Sequence, residues 1–139
     1  MRAPFLILAL AGACMLAPAA GAEPTKPAAD EVTGLVLDTR GLNYEPRMSP
    51  RVYDDSAHDL LAGVPFDPDK VMNEGVARWV RAYDPEDPNP RTGSRPLILK
   101  PLRIEGGDRL VLSGADAAKL KAANSKDKIL DRMRILIIY

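Results

Sequence analysis

Residues 32–55 read VTGLVLDTRGLNYEPRMSPRVYDD, and the fold turns on this stretch. Leu35, Val36 and Leu37 are consecutive and apolar, with Val32 just before them. Strict alternation would leave one face of a strand wet, whereas an unbroken apolar run asks for burial on both faces. Residues 33–38 are therefore expected to form an interior strand. Gly34 inside it points to a close backbone approach or a bulge. Asp38 and Arg40 mark the exit, and Gly41 permits a turn at positive φ. Pro46 and Pro50 bracket an irregular crossing. The RVYD run at 51–54 alternates and reads as a second strand. Asp54, Asp55 and Ser56 supply turn chemistry, and 60–64 is expected to return as the other arm of a hairpin.

Downstream, Asp67-Pro68 is a helix start, with Asp as N-cap and Pro at the first helical position. Met72, Val76, Trp79, Val80 and Tyr83 follow at helical spacing, so a helix is expected to run on until Pro85 stops it. Trp79 and Tyr83, one turn apart, read as a helix face packed on the sheet. Residues 97–105 and 109–113 read as a hairpin closed by Gly106-Gly107. The inward phase switches across Pro101, which cannot donate to a ladder and so asks for a bulge or an edge position. Ser113, with Asp116 three residues on, opens a second helix in the manner of a capping box. Ala117, Leu120 and Ala123 would face the sheet, and Ser125 would restart a short turn. Ile135 to Ile138 is a second unbroken apolar run and reads as another interior strand. The expected fold is α+β, one mixed sheet with two main helices packed mostly on one face, occupying 32–139.

Four segments, GLVLDTRGL, SPRVYDD, RTGSRPLILK and VLSGADAAKL, also carry a resemblance. In order and spacing the chain resembles a domain of exported proteins of Gram-negative bacteria, whose members show GLIIDARGL-like, SPxIYDxxG-like and RxGxxPLxxKA-like segments. Some relatives accompany surface lipoproteins or flagellar accessory proteins. Thr39 stands where that family has Ala, Ala57 where its hairpin has Gly, and Leu61 where Tyr is common. The resemblance implies an envelope role and no active site.

The N-terminus reads as a targeting segment. Arg2 gives a positive start, 5–16 (FLILALAGACML) is apolar, and Ala20-Gly21-Ala22 meets the small-x-small cleavage pattern. Twelve apolar residues are too few for a span, which needs roughly 20. A 22-residue leader would leave 117 of the 139 residues, exported to the periplasm. Cys14 is the only cysteine. It is either a passenger in this leader or, in the run Ala11-Gly12-Ala13-Cys14, a lipidation site that would anchor the protein in the envelope. Residues 23–31 are expected to be a flexible Pro/Ala tether.

Composition narrows the chemistry. The charge balances, with 19 basic and 19 acidic residues. Nucleic-acid partners would call for a clustered basic face, which the sequence lacks. One histidine, His58, and no cysteine beyond the leader make a poor zinc set. There is no nucleophile elbow, P-loop or dinucleotide fingerprint, and nothing asks for a cofactor. Asp84, Glu86, Asp87 and Asn89 lie within six residues and raise calcium as an alternative, although the spacing is not that of a calcium loop. Asp38, Arg40, Arg47 and Arg51 surround the organising strand and are the candidate binding residues, as an ion network or as a rim for an anionic partner. The resulting expectation is a non-catalytic envelope module that binds an envelope protein or a wall polymer. A small-ligand or calcium-binding domain is the alternative, and a hydrolase built on a carboxylate pair such as Asp54/Asp55 or Asp67/Asp69 is the third. Membrane contact would come only through the leader or Cys14, and the oligomeric state is open.

Overall fold

The computed structural model describes residues 30–139. Strand β1 (Gly34–Asp38) lies where the apolar run demanded, with Leu35, Val36 and Leu37 fully buried. On one side it pairs in parallel with β7 (Ile135–Ile138) and on the other with β4 (Pro96–Leu99). Strand β3 (Arg78–Val80) joins the far side of β7, giving an all-parallel sheet in the order β3-β7-β1-β4. The two interior strands are thus the two unbroken apolar runs, as two-sided burial requires.

The register sorts the side chains, because successive residues of a strand face opposite ways. Leu35, Leu37, Ile135, Ile137, Leu97, Leu99 and Trp79 share one face and join the main core. Val36, Leu136 and Ile138 share the other, with Val80 and Tyr83 packed against them. Strands β3 and β4 occupy opposite edges, so their connection, 81–95, must traverse the sheet. It does so on this second face. Tyr83 packs on the Val36 cluster, and a Cβ on Gly34 would come within 2.6 Å of the Thr92 Cα. The glycine in β1 is therefore a close approach and not a bulge. Thr33 clips the same crossing, its hydroxyl donating to the Thr92 carbonyl at 2.6 Å and accepting from the Arg95 N–H at 2.9 Å.

The strands divide between two sheets where one mixed sheet was expected, while the α+β class stands. Strands β2 (Arg51–Asp54), β6 (Arg109–Leu112) and β5 (Arg103–Glu105) form a second, mixed sheet in the order β2-β6-β5. Pro101 explains the division. It is buried between β4 and β5, and the phase switch read there is the chain leaving one sheet for the other. Only 103–105 pairs antiparallel with 109–111; 96–99 belongs to the parallel sheet. The inner residues Val52, Leu110, Leu112 and Ile104 meet the main core.

Helix α2 (Gly114–Asp127) is capped by Ser113, whose hydroxyl accepts from the Asp116 N–H at 3.1 Å. It buries Ala117 and Leu120 in the same core and runs through Ser125 without the expected restart. It ends on Lys128 in the left-handed region, φ 56°. Helix α1 (Pro68–Glu74) is much shorter than the expected helix. Asp67 caps it, accepting from the Asp69 N–H at 2.9 Å, but Gly75 stops it at φ 72°, ψ 160°. Val76 and Ala77 then turn inward and Trp79 becomes part of β3. Met72, placed on the buried face by its spacing, is 87% exposed. Both helices contribute to the main-core side, α1 through the partly buried Val71. Residues 60–64 form no strand. The only hairpin pairing near them is the Tyr53–Asp59 bridge just before and, from this stretch itself, a Leu60 N–H donated to the Val52 carbonyl at 2.9 Å.

Arg91 ties these parts together. Its guanidinium donates to the carbonyls of Met133 (2.7 Å), Glu74 (3.1 Å) and Gly75 (2.5 Å). It thereby holds the end of α1 and the turn before β7 to the crossing segment. Burial lowers its pKa below the ordinary guanidinium value.

Candidate recognition surface

The outer face of the three-stranded sheet is built by three short alternating runs. In RVYD, RIE and RLVL every second residue points away from the main core, so Arg51, Tyr53, Arg103, Glu105 and Arg109 share one face with Val111, which is itself buried. Arg51 lies beside Arg109 on the neighbouring strand, and Tyr53 beside Val111. The Arg109 guanidinium sits 4.6 Å from the centre of the Tyr53 ring and that of Arg51 sits 6.0 Å from it, both within cation–π range. Tyr53 is the main reason that the Arg51 pKa is raised.

The acids around this surface are unevenly engaged. Glu105 accepts from Arg103 Nε at 2.9 Å, while Arg109 stands 3.7 Å from it. Arg51 stands 3.9 Å from Asp108. Arg51 and Arg109 therefore make no hydrogen bond to a carboxylate, although ion partners are near. Tyr53, Arg103, Glu105 and Arg109, with Asp54 and Asp55, line a small hollow of about 30 Å³.

The four binding residues expected from the sequence fall in three separate places. Asp38 and Arg40 lie at the exit of β1 and bind each other in a fork, with Nε at 2.9 Å and Nη2 at 2.7 Å. That hydrogen bonding with Arg40 holds the Asp38 carboxyl below the ordinary carboxylate pKa, against the opposing effect of burial. Arg47 pairs with Glu45 at 3.2 Å. Arg51 alone belongs to the Arg/Tyr surface. Glu45 adjoins the β5–β6 turn, its N–H donating to the Gly107 carbonyl at 2.7 Å, so the crossing docks beside that surface. Sequence reading missed Arg103, Arg109 and Tyr53 as partners of Arg51. The available signal was the shared period of two, which names a face only once the strand pairing is known.

The acidic run of the calcium alternative is occupied with its own turns. Asp84 accepts from the Glu86 N–H and Asn89 from the Arg91 N–H, both at 2.9 Å. Asp84, Asp87 and Asn89 line an open hollow of about 410 Å³. Among the described residues, no three His, Cys, Asp or Glu side chains come together to hold a metal ion. His58 is mostly exposed, with Nδ1 3.0 Å from Asp54 Oδ2. Asp54 also accepts the backbone N–H of His58 at 2.8 Å and of Ser56 at 3.0 Å. The His58 N–H is the leading cause of its lowered pKa. Asp67 caps α1, and the Asp55 carboxylate lies near the start of α2, 3.5 Å from where a Cβ on Gly114 would be. Cys14, the leader and the tether up to Ala29 lie outside the described residues. Among the described residues no helix is long and apolar enough to cross a membrane.

No curated protein matches the chain. The family model of the second domain of Treponema pallidum Tp0624 matches residues 34–139, from the first residue of β1 to the C-terminal Tyr139. The chain belongs to this bacterial domain family.

Proposed function

We propose that the chain is a non-catalytic interaction or assembly module of the cell envelope, with the outer face of the three-stranded sheet as its recognition surface. The observation that carries this reading is the display of Arg51, Tyr53, Arg103 and Arg109 on the outward face of one sheet. A surface of this kind suits recognition better than turnover, since catalysis asks for groups converging on one reacting atom in a water-poor site. The carboxylates that acid–base chemistry would recruit have other work: Asp54 closes a turn and Asp67 caps a helix. The apolar leader at 5–16 and the AGA pattern at 20–22 support export to the periplasm.

The test is in-cell cross-linking of the tagged full chain, followed by envelope fractionation and mass spectrometry. One dominant envelope partner, recovered from the periplasmic fraction, is the expected result. A hydrolytic activity abolished by changing a single carboxylate would overturn the reading, as would an envelope fraction free of any cross-linked partner. The same spectra distinguish a mature N-terminus at Glu23 from a lipidated Cys14.

A further inference from the structure

We infer that the β4 edge of the parallel sheet pairs with the same strand of a second copy of this chain, antiparallel about a two-fold axis through Ile98. The inference goes beyond the module reading and does not depend on it.

The backbone at this edge is set up for one more strand. Among the described residues, β4 has a neighbour, β1, on one side only. The ladder fixes which of its groups lie on the open side. The Leu35 N–H donates to the Arg134 carbonyl beside β7, so Leu35 and Leu37 turn their peptide groups to β7 and Val36 turns its own to β4. In a parallel pair, a residue facing its neighbour bonds to the residues before and after its partner. Val36 is the partner of Ile98, so Leu97 and Leu99 face β1 while Pro96 and Ile98 face outward. Proline, which has no N–H to donate, thus sits where it costs β1 nothing. Ile98 turns both an N–H and a C=O to the open side, as a template for pairing.

The side chains of β4 have the least to repel such a strand. Charges keep sheet edges apart. Strand β2 carries Arg51 and Asp54, β3 carries Arg78, and β5 carries Arg103 and Glu105, whereas the PLIL of β4 carries none. The edge of β2 is also occupied, with the Leu60 N–H on the Val52 carbonyl and the Asp54 N–H on the His58 carbonyl. Ile98 is 50% exposed in the middle of the uncharged edge.

Register selects a copy of the same strand as the occupant. Centred on Ile98, an antiparallel pair sets Ile98 opposite its own counterpart and Leu97 opposite Leu99, apolar against apolar. The two Ile98 residues exchange both hydrogen bonds, and each Pro96 carbonyl accepts from the Lys100 N–H of the copy. The one carbonyl that Pro96 leaves over is that of Lys100, an exposed residue just past the strand, where water reaches it. A register centred on Leu97 would instead set Pro96 against Ile98 and leave the Ile98 carbonyl unpaired. The contact is the same patch on both copies, so it closes at two. Four residues a side fall well below a standard interface of about 1,600 Å², so the dimer is a weak one.

Sedimentation equilibrium of the protein, with the N-terminus its own cells leave, tests this from about 10 µM to about 1 mM. A monomer–dimer equilibrium is expected. Over that range, amide exchange at Ile98 should slow about fivefold, while Leu97 and Leu99, already bonded to β1, exchange as before. Ile98→Lys sets two cations face to face and should weaken dimerisation about tenfold or more. Ile98→Pro removes an outward N–H, spares the β1 ladder and should abolish the dimer, with the fold retained by circular dichroism. If the proline variant unfolds, the lysine variant decides. Met72→Ser, which removes an exposed apolar side chain on α1, should dimerise as the parent does. A chain still monomeric at about 1 mM overturns the inference. So does a dimer that Ile98→Lys leaves unchanged, or protection that appears at β2, β3 or β5 instead. An Ile98 amide protected only in the complex with a cross-linked envelope partner would assign the edge to that partner and overturn it too. None of these results touches the module reading, which fails only on its own test above.

Discussion

Gly34 shows how one absent methyl group positions a whole connection. Its α-hydrogens lie against the Thr92 backbone, where a Cβ would stand 2.6 Å from Cα and 2.7 Å from the carbonyl oxygen. Gly34→Ala must displace either β1 or the crossing, and both are pinned by Thr33. The expected cost is about 1–3 kcal/mol, as for other overpacked sites, read as a lower urea midpoint with unchanged slope. Asp54 carries a different prediction. Its folded pKa lies below the ordinary 3.8, chiefly through the His58 N–H. A depressed carboxylate contributes stability that is fully present above the unfolded pKa and is lost as pH falls through the folded one. Stability should therefore drop below about pH 4, and Asp54→Asn should flatten that drop. Melting curves of both proteins between pH 3 and pH 6 check it. A parallel fall in the two would show that other carboxylates dominate.

Among the elements, those written by one clear local signal agree with the sequence. Ser113 and Asp116 announce the start of α2, and the hydroxyl does accept the Asp116 N–H. Ser113→Ala should cost about 1 kcal/mol, measured by thermal melting, and Ser113→Asp should recover most of it. The interior strands were legible because a continuous apolar run has few other uses. Strand β3 was not. Met72, Val76, Trp79, Val80 and Tyr83 fit a helical period, yet Gly75 adopts φ 72° and ends the helix after seven residues. Extending the helix would have left the edge of β7 unpaired, and a hydrogen-bonded edge outweighs the preference of three residues. The recognition face was hidden for a related reason. Arg51 was visible in sequence, but β2 finds its neighbour β6 more than fifty residues later. Tertiary pairing chose the partners, and no local pattern encodes that choice.

At the scale of the molecule, one parallel sheet is insulated on both sides by unlike means. Its first face meets the second sheet and the helices, and its second carries the 81–95 crossing where a helix would commonly lie. Pro101 separates the two sheets, so a residue run that looked like one hairpin serves both. This arrangement predicts an order of local opening. Strands β1 and β7 are buried on both faces and paired on both edges, so their amides should exchange only through global unfolding. Strand β5 is an edge of three residues, exposed or half-buried, and its amides should open through smaller fluctuations. Native-state hydrogen exchange measures the opening energies directly. With rising denaturant, the β1 and β7 amides should merge with the global unfolding line while those of β5 keep a shallow dependence. Equal protection across β1, β5 and β7 would mean that the two sheets open as one cooperative unit, with Pro101 acting as a rigid joint.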